Sequence, residues 1–449
     1  MIGTLGSGAS DFDKQRSFYN YARRMRKWIV IAVLSVATAR FGHVAYQGLT
    51  YSIGDFYSTL PGAYVEAFNP TLWASPDLTN MVGRVSHYHR GPSQYLTTLP
   101  LSFLDSYREI AMVLLVVYAV LIPWTAYLMW RMFAPGPRDY QLLALVMSSS
   151  LLFFPTLQAY IAREFELVIL AGTVLMFAAA ASGRLATAGA WAAYITLYKY
   201  LPVALLPYFV VRRWWRALVG FAAASLVILA AAHVFFGVGN FTSDGYAGSF
   251  VTALWTNLQS TQEFCYGRFQ FLRYSASTND VSVGLGLCGV QERVPLPVVT
   301  IYLGLIAATL IALGYGFFRL EFGGAREAGV ERWRRILESS AVVIVYTTFF
   351  LTHYYYLTVL IVPLTALMVR AYLERRRGLW VAWAVSYLLL SAFLVPLTAV
   401  GRLVQADLWT LYVNSLAYLP GELLLLGTVL YEYVGLGTRD TRAPNPTPD

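Results

Sequence analysis

Residues 185–211, LATAGAWAAYITLYKYLPVALLPYFVV, lie between Arg184 and the pair Arg212-Arg213, with Lys199 as their single charge. An apolar helix of about 20 residues crosses the roughly 30 Å hydrocarbon core of a bilayer. This run is long enough, but Lys199-Tyr200-Leu201-Pro202 interrupts it. Proline disfavours helix in the residue before it. The stretch therefore predicts two short helices, about 186–198 and 201–211, that meet near the outer face of a membrane.

Similar apolar runs lie on both sides of this break, at about 28–47, 109–131, 140–155, 165–182, 217–237, 297–318, 337–352, 354–371, 379–400 and 409–433. The composition agrees. Of 449 residues, 57% are hydrophobic, 16% aromatic and only 13% charged, where a soluble domain carries about 25% charged residues. So few charges exclude a cytosolic enzyme and a nucleic-acid binder despite a net charge of +9. The apolar content excludes a disordered chain. The predicted fold class is an all-α polytopic membrane protein of about 12 transmembrane or re-entrant helices with two long external loops.

Charge sets the expected orientation. Basic residues collect on the cytoplasmic side of membrane proteins. The 33 basic residues are arginines apart from Lys14, Lys27 and Lys199. Twelve segments with both termini cytoplasmic put most of them inside. Arg84, Arg90, Arg108, Arg163, Lys199, Arg268, Arg273, Arg293 and Arg402 are left outside. Residues 1–27 read as a basic cytoplasmic N-terminus rather than a cleavable signal, since a long apolar stretch follows them. Residues 28–435 form the transmembrane domain, with external loops at about 48–108 and 238–296, and 436–449 a cytoplasmic tail. The multi-pass protein is expected in the plasma membrane, its site facing outward. Cys265 and Cys288 both fall in the second external loop, where either a disulfide or two buried thiols would fit.

Ionisable residues near the outer ends of spans mark functional sites or internal pairs. Asp55, in Ser52-Ile53-Gly54-Asp55-Phe56-Tyr57, could act as a general base or cap a helix starting near Tyr57. Arg163-Glu164-Phe165-Glu166 opens the run at 165–182. There Glu164 and Glu166 either favour a helix N-terminus or meet a polar substrate. Lys199 is the only lysine after residue 27. It either snorkels to the interface or provides a point charge for a phosphate. His353, followed by Tyr354-Tyr355-Tyr356, could bind phosphate or move a proton, or belong to an aromatic belt. Asn257, Gln259, Arg268 and His89 are further candidates for sugar or phosphate contact. His87 and His89 lack a carboxylate at metal-binding spacing, so no metal site is expected. P-loop, zincin and serine-hydrolase motifs are absent from the sequence, which argues against ATP-driven pumping and those hydrolases.

Four stretches resemble GT-C membrane glycosyltransferases, and more closely family 87, the polyprenol-phosphate-mannose-dependent α-mannosyltransferases and related arabinofuranosyltransferases. They are Gly54-Asp55-Phe56-Tyr57, the turn Lys199-Tyr200-Leu201-Pro202 with its Arg212-Arg213-Trp214-Trp215 exit, Asn257-Leu258-Gln259-Ser260, and His353-Tyr354-Tyr355. The chain departs from the pattern at Arg163-Glu164-Phe165-Glu166, where many members carry Gly-Gln-x-Asn. The resemblance implies an inverting enzyme that moves a sugar, mannose first, from a polyprenyl phosphate to a glycan or glycolipid acceptor on the external face. It implies Asp55 as the base. Lys199 and His353, with Arg163 or Arg268, would hold the donor phosphate. Glu164, Glu166, Asn257, Gln259, His89 and Tyr354 would line the substrate site. The lipid-linked sugar is the donor substrate, and neither a cofactor nor a nucleic-acid partner is implied. Two alternatives stay open: an envelope-polysaccharide polymerase or ligase, and a 12-span lipid or solute transporter. The very short connection at Arg212–Arg216 counts against a transporter of two six-span halves.

Overall fold

A computed structural model describes residues 8–50, 92–104, 107–134, 139–199, 201–236, 296–319, 328–350, 354–391 and 418–440. Within these residues the chain is helical, with no strand. The α-helices are α1 (Gly8–Thr50), α2 (Pro92–Thr98), α3 (Tyr107–Phe133), α4 (Tyr140–Leu152), α5 (Phe154–Ala162), α6 (Glu166–Ala181) and α7 (Leu185–Thr196). They continue as α8 (Leu205–Val211), α9 (Trp215–Phe236), α10 (Leu296–Arg319), α11 (Ala328–Phe350), α12 (Ile361–Leu373), α13 (Arg377–Leu390) and α14 (Leu419–Asp440). Short 3-10 segments at Leu99–Phe103, Leu201–Ala204 and Tyr354–Leu360 join some of them.

The exposure pattern is that of a protein whose solvent is lipid. Helix α9 leaves Val219, Leu226, Val227 and Val234 between 68% and 78% exposed. Helices with all backbone groups bonded internally can present such surfaces to hydrocarbon. The centre is the converse. Every residue of α12 from Ile361 to Ala371 is buried, as is nearly all of α6. Helix α11 adds Ile336 through Tyr346 to the same core.

Each apolar segment read from the sequence carries a helix or a pair of helices. Among the described residues, five helices are long and apolar enough to cross a membrane alone: Lys27–Leu49, Arg108–Phe133, Trp215–Phe235, Tyr356–Leu373 and Leu419–Leu436. The pair α4–α5, bent by 55°, makes a sixth crossing if counted as one. Helices α6 and α13 are shorter. Neighbours cover nearly all of α6, whereas α13 leaves Val381, Val385 and Leu388 exposed.

The boundaries moved where proline or glycine acts. The sequence reading takes 140–155 as one span. The chain instead bends at Phe153, which is extended at φ −65° and ψ 110°, and Pro155 starts α5. Proline lacks an N–H and fits the first turn of a new helix. At the other end of α4, the Asp139 side chain accepts from the N–H groups of Gln141 and Leu142, the usual N-cap arrangement. Glycine permits the closest helix packing. A Cβ on Gly189 of α7 would lie 1.8 Å from the Ala217 carbonyl oxygen, and one on Gly220 of α9 lies 2.0 Å from that of Ala186. The α7–α9 contact exists only because both positions lack a side chain.

Candidate functional site

Three interruptions of helix meet at one end of the bundle. The first lies between α5 and α6. Arg163 follows α5 in the left-handed conformation at φ 57° and ψ 35°, and Glu166 begins α6. The second lies after α7, where the Lys199 N–H still bonds the Ile195 carbonyl at 3.0 Å before the 3-10 turn containing Pro202. The third is the 3-10 segment Tyr354–Leu360 that leads into α12. Helix breaks at membrane depth are tolerated where protein or a cavity covers them.

The charges at these breaks find one another. The Lys199 ammonium donates to Oε1 of Glu166, and both residues are buried, at 9% and 4% exposure. The Tyr356 ring lies on the ammonium, 3.6 Å from nitrogen to ring centroid, a cation–π contact. Burying two charges is costly unless geometry and further contacts compensate. Here the carboxylate and the aromatic face provide that compensation together.

This pair borders a small pocket, lined also by Ile169, Pro202, Tyr346, Thr347 and Val359. An aromatic stack backs it: Phe165 packs edge-on to Tyr118 at 6.4 Å and against Tyr198 at 6.0 Å. Helix α2 closes against the same end of α7. Ser93 donates its N–H to the Leu197 carbonyl at 3.1 Å, and Thr97 Oγ1 pairs with the Tyr194 hydroxyl at 2.8 Å. The accessible wall is apolar, and the buried Lys199–Glu166 pair lies in the residues that form it; ligand sites are commonly apolar pockets with a few polar groups at their margin.

Arg163 has a different placement. Its guanidinium donates to the carbonyl of Gly48 near the end of α1, so it ties α1 to the α5–α6 turn. Glu164, also buried, donates its N–H to the Ala159 carbonyl at 2.8 Å. Of the site residues expected from sequence, the structure brings together Lys199 and Glu166, with Arg163 and Glu164 in the adjoining turn. Asp55, His89, Asn257, Gln259, Cys265, Arg268, Cys288 and His353 lie outside the described residues. Tyr354 opens the 3-10 segment that carries Tyr356, so the backbone following His353 runs to the pocket.

Sequence reasoning missed Tyr346 and Thr347, which sit in an unbroken apolar run with nothing to single them out. It also missed a second buried ionic centre. Glu338 of α11 is fully buried. Its Oε2 accepts from the Tyr208 hydroxyl at 2.8 Å and from Arg212 Nε at 3.1 Å. Its Oε1 accepts from the Tyr433 hydroxyl at 2.9 Å and faces Arg334 Nε at 3.3 Å. Arg334 also donates to the Phe317 carbonyl at 3.0 Å. Glu338 thus pins α8, α10, α11 and α14 together. Its signal was available: one acid within the apolar stretch 336–347.

A family model described as glycosyltransferase family 87 matches residues 88–314, just over half of the chain. The match spans α2 through most of α10 and includes Arg163, Glu166 and Lys199. No curated protein matches the chain.

Proposed function

Because the chain belongs to glycosyltransferase family 87, we propose that it transfers a sugar, mannose first, from a polyprenyl phosphate to a glycan or glycolipid acceptor at the external face of the plasma membrane. The observation that carries this reading is Lys199: a buried ammonium on a pocket wall, at a helix break, in a chain whose basic residues are otherwise nearly all arginine. A lysine so placed is suited to a single phosphate head group as a point charge.

The chemistry follows. The donor is a phosphodiester-like glycosyl phosphate with one negative charge. The acceptor hydroxyl oxygen attacks the anomeric carbon, and the bond from that carbon to the phosphate oxygen breaks. The phosphate leaves with the bonding electrons as a monoester, and the hydroxyl proton passes to the Asp55 carboxylate. A single displacement inverts the anomeric configuration. Lys199, with His353 and Arg268 as further candidates, stabilises charge that grows on the leaving phosphate. Preorganised charge of this kind is commonly worth about 10²–10³ in rate. Asp55 follows Gly48 by seven residues, and Arg163 holds Gly48 to the turn next to Glu166. At about 3.3–3.6 Å per extended residue, that tether supports Asp55 as a group able to reach the pocket.

The orientation follows from charge. The loops at the opposite end, around Arg131, Arg184, Arg212, Arg335 and Arg375–Arg377, carry the basic excess expected of a cytoplasmic face. The Lys199 end then faces outward, where lipid-linked sugars and envelope acceptors meet.

The test is transfer itself. Purified protein incubated with labelled polyprenyl-phosphate mannose and a glycolipid acceptor is expected to release polyprenyl phosphate in step with glycosylated product. Asp55→Asn should abolish transfer and keep donor binding. Full activity in that variant removes Asp55 as the base. A protein that binds polyprenyl-linked oligosaccharide and extends it as a block would be a polymerase or ligase instead.

A further inference from the structure

The proposed reaction changes the charge that Lys199 must hold. The donor diester carries one negative charge, and the departing phosphate monoester carries up to two near neutral pH. A lone buried ammonium would therefore grip the product more tightly than the substrate. In a low-dielectric site that difference is large, and a tightly held product limits turnover. Phosphate binding and phosphate release make opposite demands on the same side chain.

The geometry around Lys199 answers this. Its ammonium is already paired with the Glu166 carboxylate and faced by the Tyr356 ring, and all three line the one pocket. Glu166 is the first residue of α6, a rigid and almost wholly buried helix, so the carboxylate is carried by a fixed element. Any phosphate reaching Lys199 must share the ammonium with it, and a doubly charged phosphate meets more repulsion than a singly charged one.

We infer that Glu166 is a positioning residue that competes with phosphate for Lys199, weakening the hold on the monoester product more than on the diester donor and so driving product release. This rests on Lys199 being the phosphate site. Glu166 acts through Lys199 and takes no part in bond making. In the empty site it neutralises the ammonium, and in the product state it repels the leaving group.

The experiment is direct binding to the full-length protein in lipid nanodiscs. Farnesyl phosphate serves as the monoester and its methyl ester as the diester. Glu166→Gln, Glu166→Asp and Lys199→Met are compared with the wild type. Glu166→Gln should tighten farnesyl phosphate by about tenfold, the scale of a close buried charge coupling, and tighten the methyl ester less. Glu166→Asp, whose shorter side chain draws the carboxylate back, should shift both in the same direction by a smaller amount. In transfer assays Glu166→Gln should lower the donor KM and kcat together, with stronger inhibition by added farnesyl phosphate.

A carboxylate that only holds Lys199 in place predicts the opposite sign. Weaker or unchanged farnesyl phosphate binding in both Glu166 variants overturns the inference, even if Lys199→Met abolishes binding. Unchanged binding in Lys199→Met removes the phosphate site itself and the functional reading with it. Should Glu166→Gln fail to fold, the sign of the change in Glu166→Asp decides.

Discussion

At the scale of single residues, the buried Lys199–Glu166 pair mixes stability with function, and substitutions can separate them. Lys199→Met keeps the apolar stem and leaves a buried carboxylate without its cation. It should cost about 3–5 kcal/mol of stability, read as a fall in the thermal midpoint in detergent. The double variant Lys199→Met/Glu166→Gln removes both charges and should recover most of that loss while failing to bind farnesyl phosphate. Recovery of binding in the double variant would mean that the ammonium is not the phosphate contact. Arg163 has a structural role through its bond to the Gly48 carbonyl. Arg163→Gln releases the Gly48 carbonyl and should cost about 1–3 kcal/mol, the usual range for an abandoned buried partner. Lys199 was legible in the sequence because it is the only lysine in a long arginine-rich stretch. Its partner was not, because the two residues are 33 positions apart and only the fold makes them neighbours.

At the scale of elements, the helix breaks and close contacts come from proline and glycine. Pro202 made the break after α7 readable. Pro155 marks a 55° bend between α4 and α5, but it fell at the expected end of a span and so read as a terminus. The glycines make a sharper distinction that no single-chain pattern reveals. Gly189→Ala places a Cβ against the Ala217 carbonyl, which is backbone and cannot rotate away. It should cost at least about 1–3 kcal/mol, the scale of overpacking, and lower the yield of monodisperse protein on size exclusion. Gly427→Ala, inside α14 with open space around it, should be neutral or stabilise by up to about 1 kcal/mol, since alanine is the better helix former. Equal losses at both positions would refute the packing argument for α7 and α9.

At the scale of the whole molecule, the Lys199–Glu166 and Glu338 centres, two of the buried ionic centres among the described residues, fasten the bundle at different depths. Glu338 and Thr347 are nine positions apart on α11, about 14 Å along the axis. The Glu338 centre joins four helices through Arg212, Arg334, Tyr208 and Tyr433. Glu338→Ala should therefore cost about 3–5 kcal/mol by stranding two buried cations, whereas Glu331→Gln, at the margin of the same helix, should cost less than about 1 kcal/mol. Thermal unfolding of the two variants side by side checks this. Topology reporters test the orientation: fusions after Asp440 should report a cytoplasmic end, and those within 48–108 an external one. The reverse result would place the Lys199 pocket on the cytoplasmic side and end the external-donor reading.

The amino-acid sequence by itself determined the class of solvent, the succession of apolar helices, the break at Lys199 and the family resemblance, because hydropathy, charge asymmetry and proline act locally or as simple sums along the chain. Only the tertiary structure decided that Glu166 and Tyr356 are the partners of Lys199, that Arg163 holds the end of α1, and that Arg212 and Arg334 converge on Glu338. Those pairings depend on which helix ends meet. Long-range packing sets that, and in a chain this uniformly apolar the sequence pattern leaves many packings equally plausible until side-chain shape and the few buried charges select one.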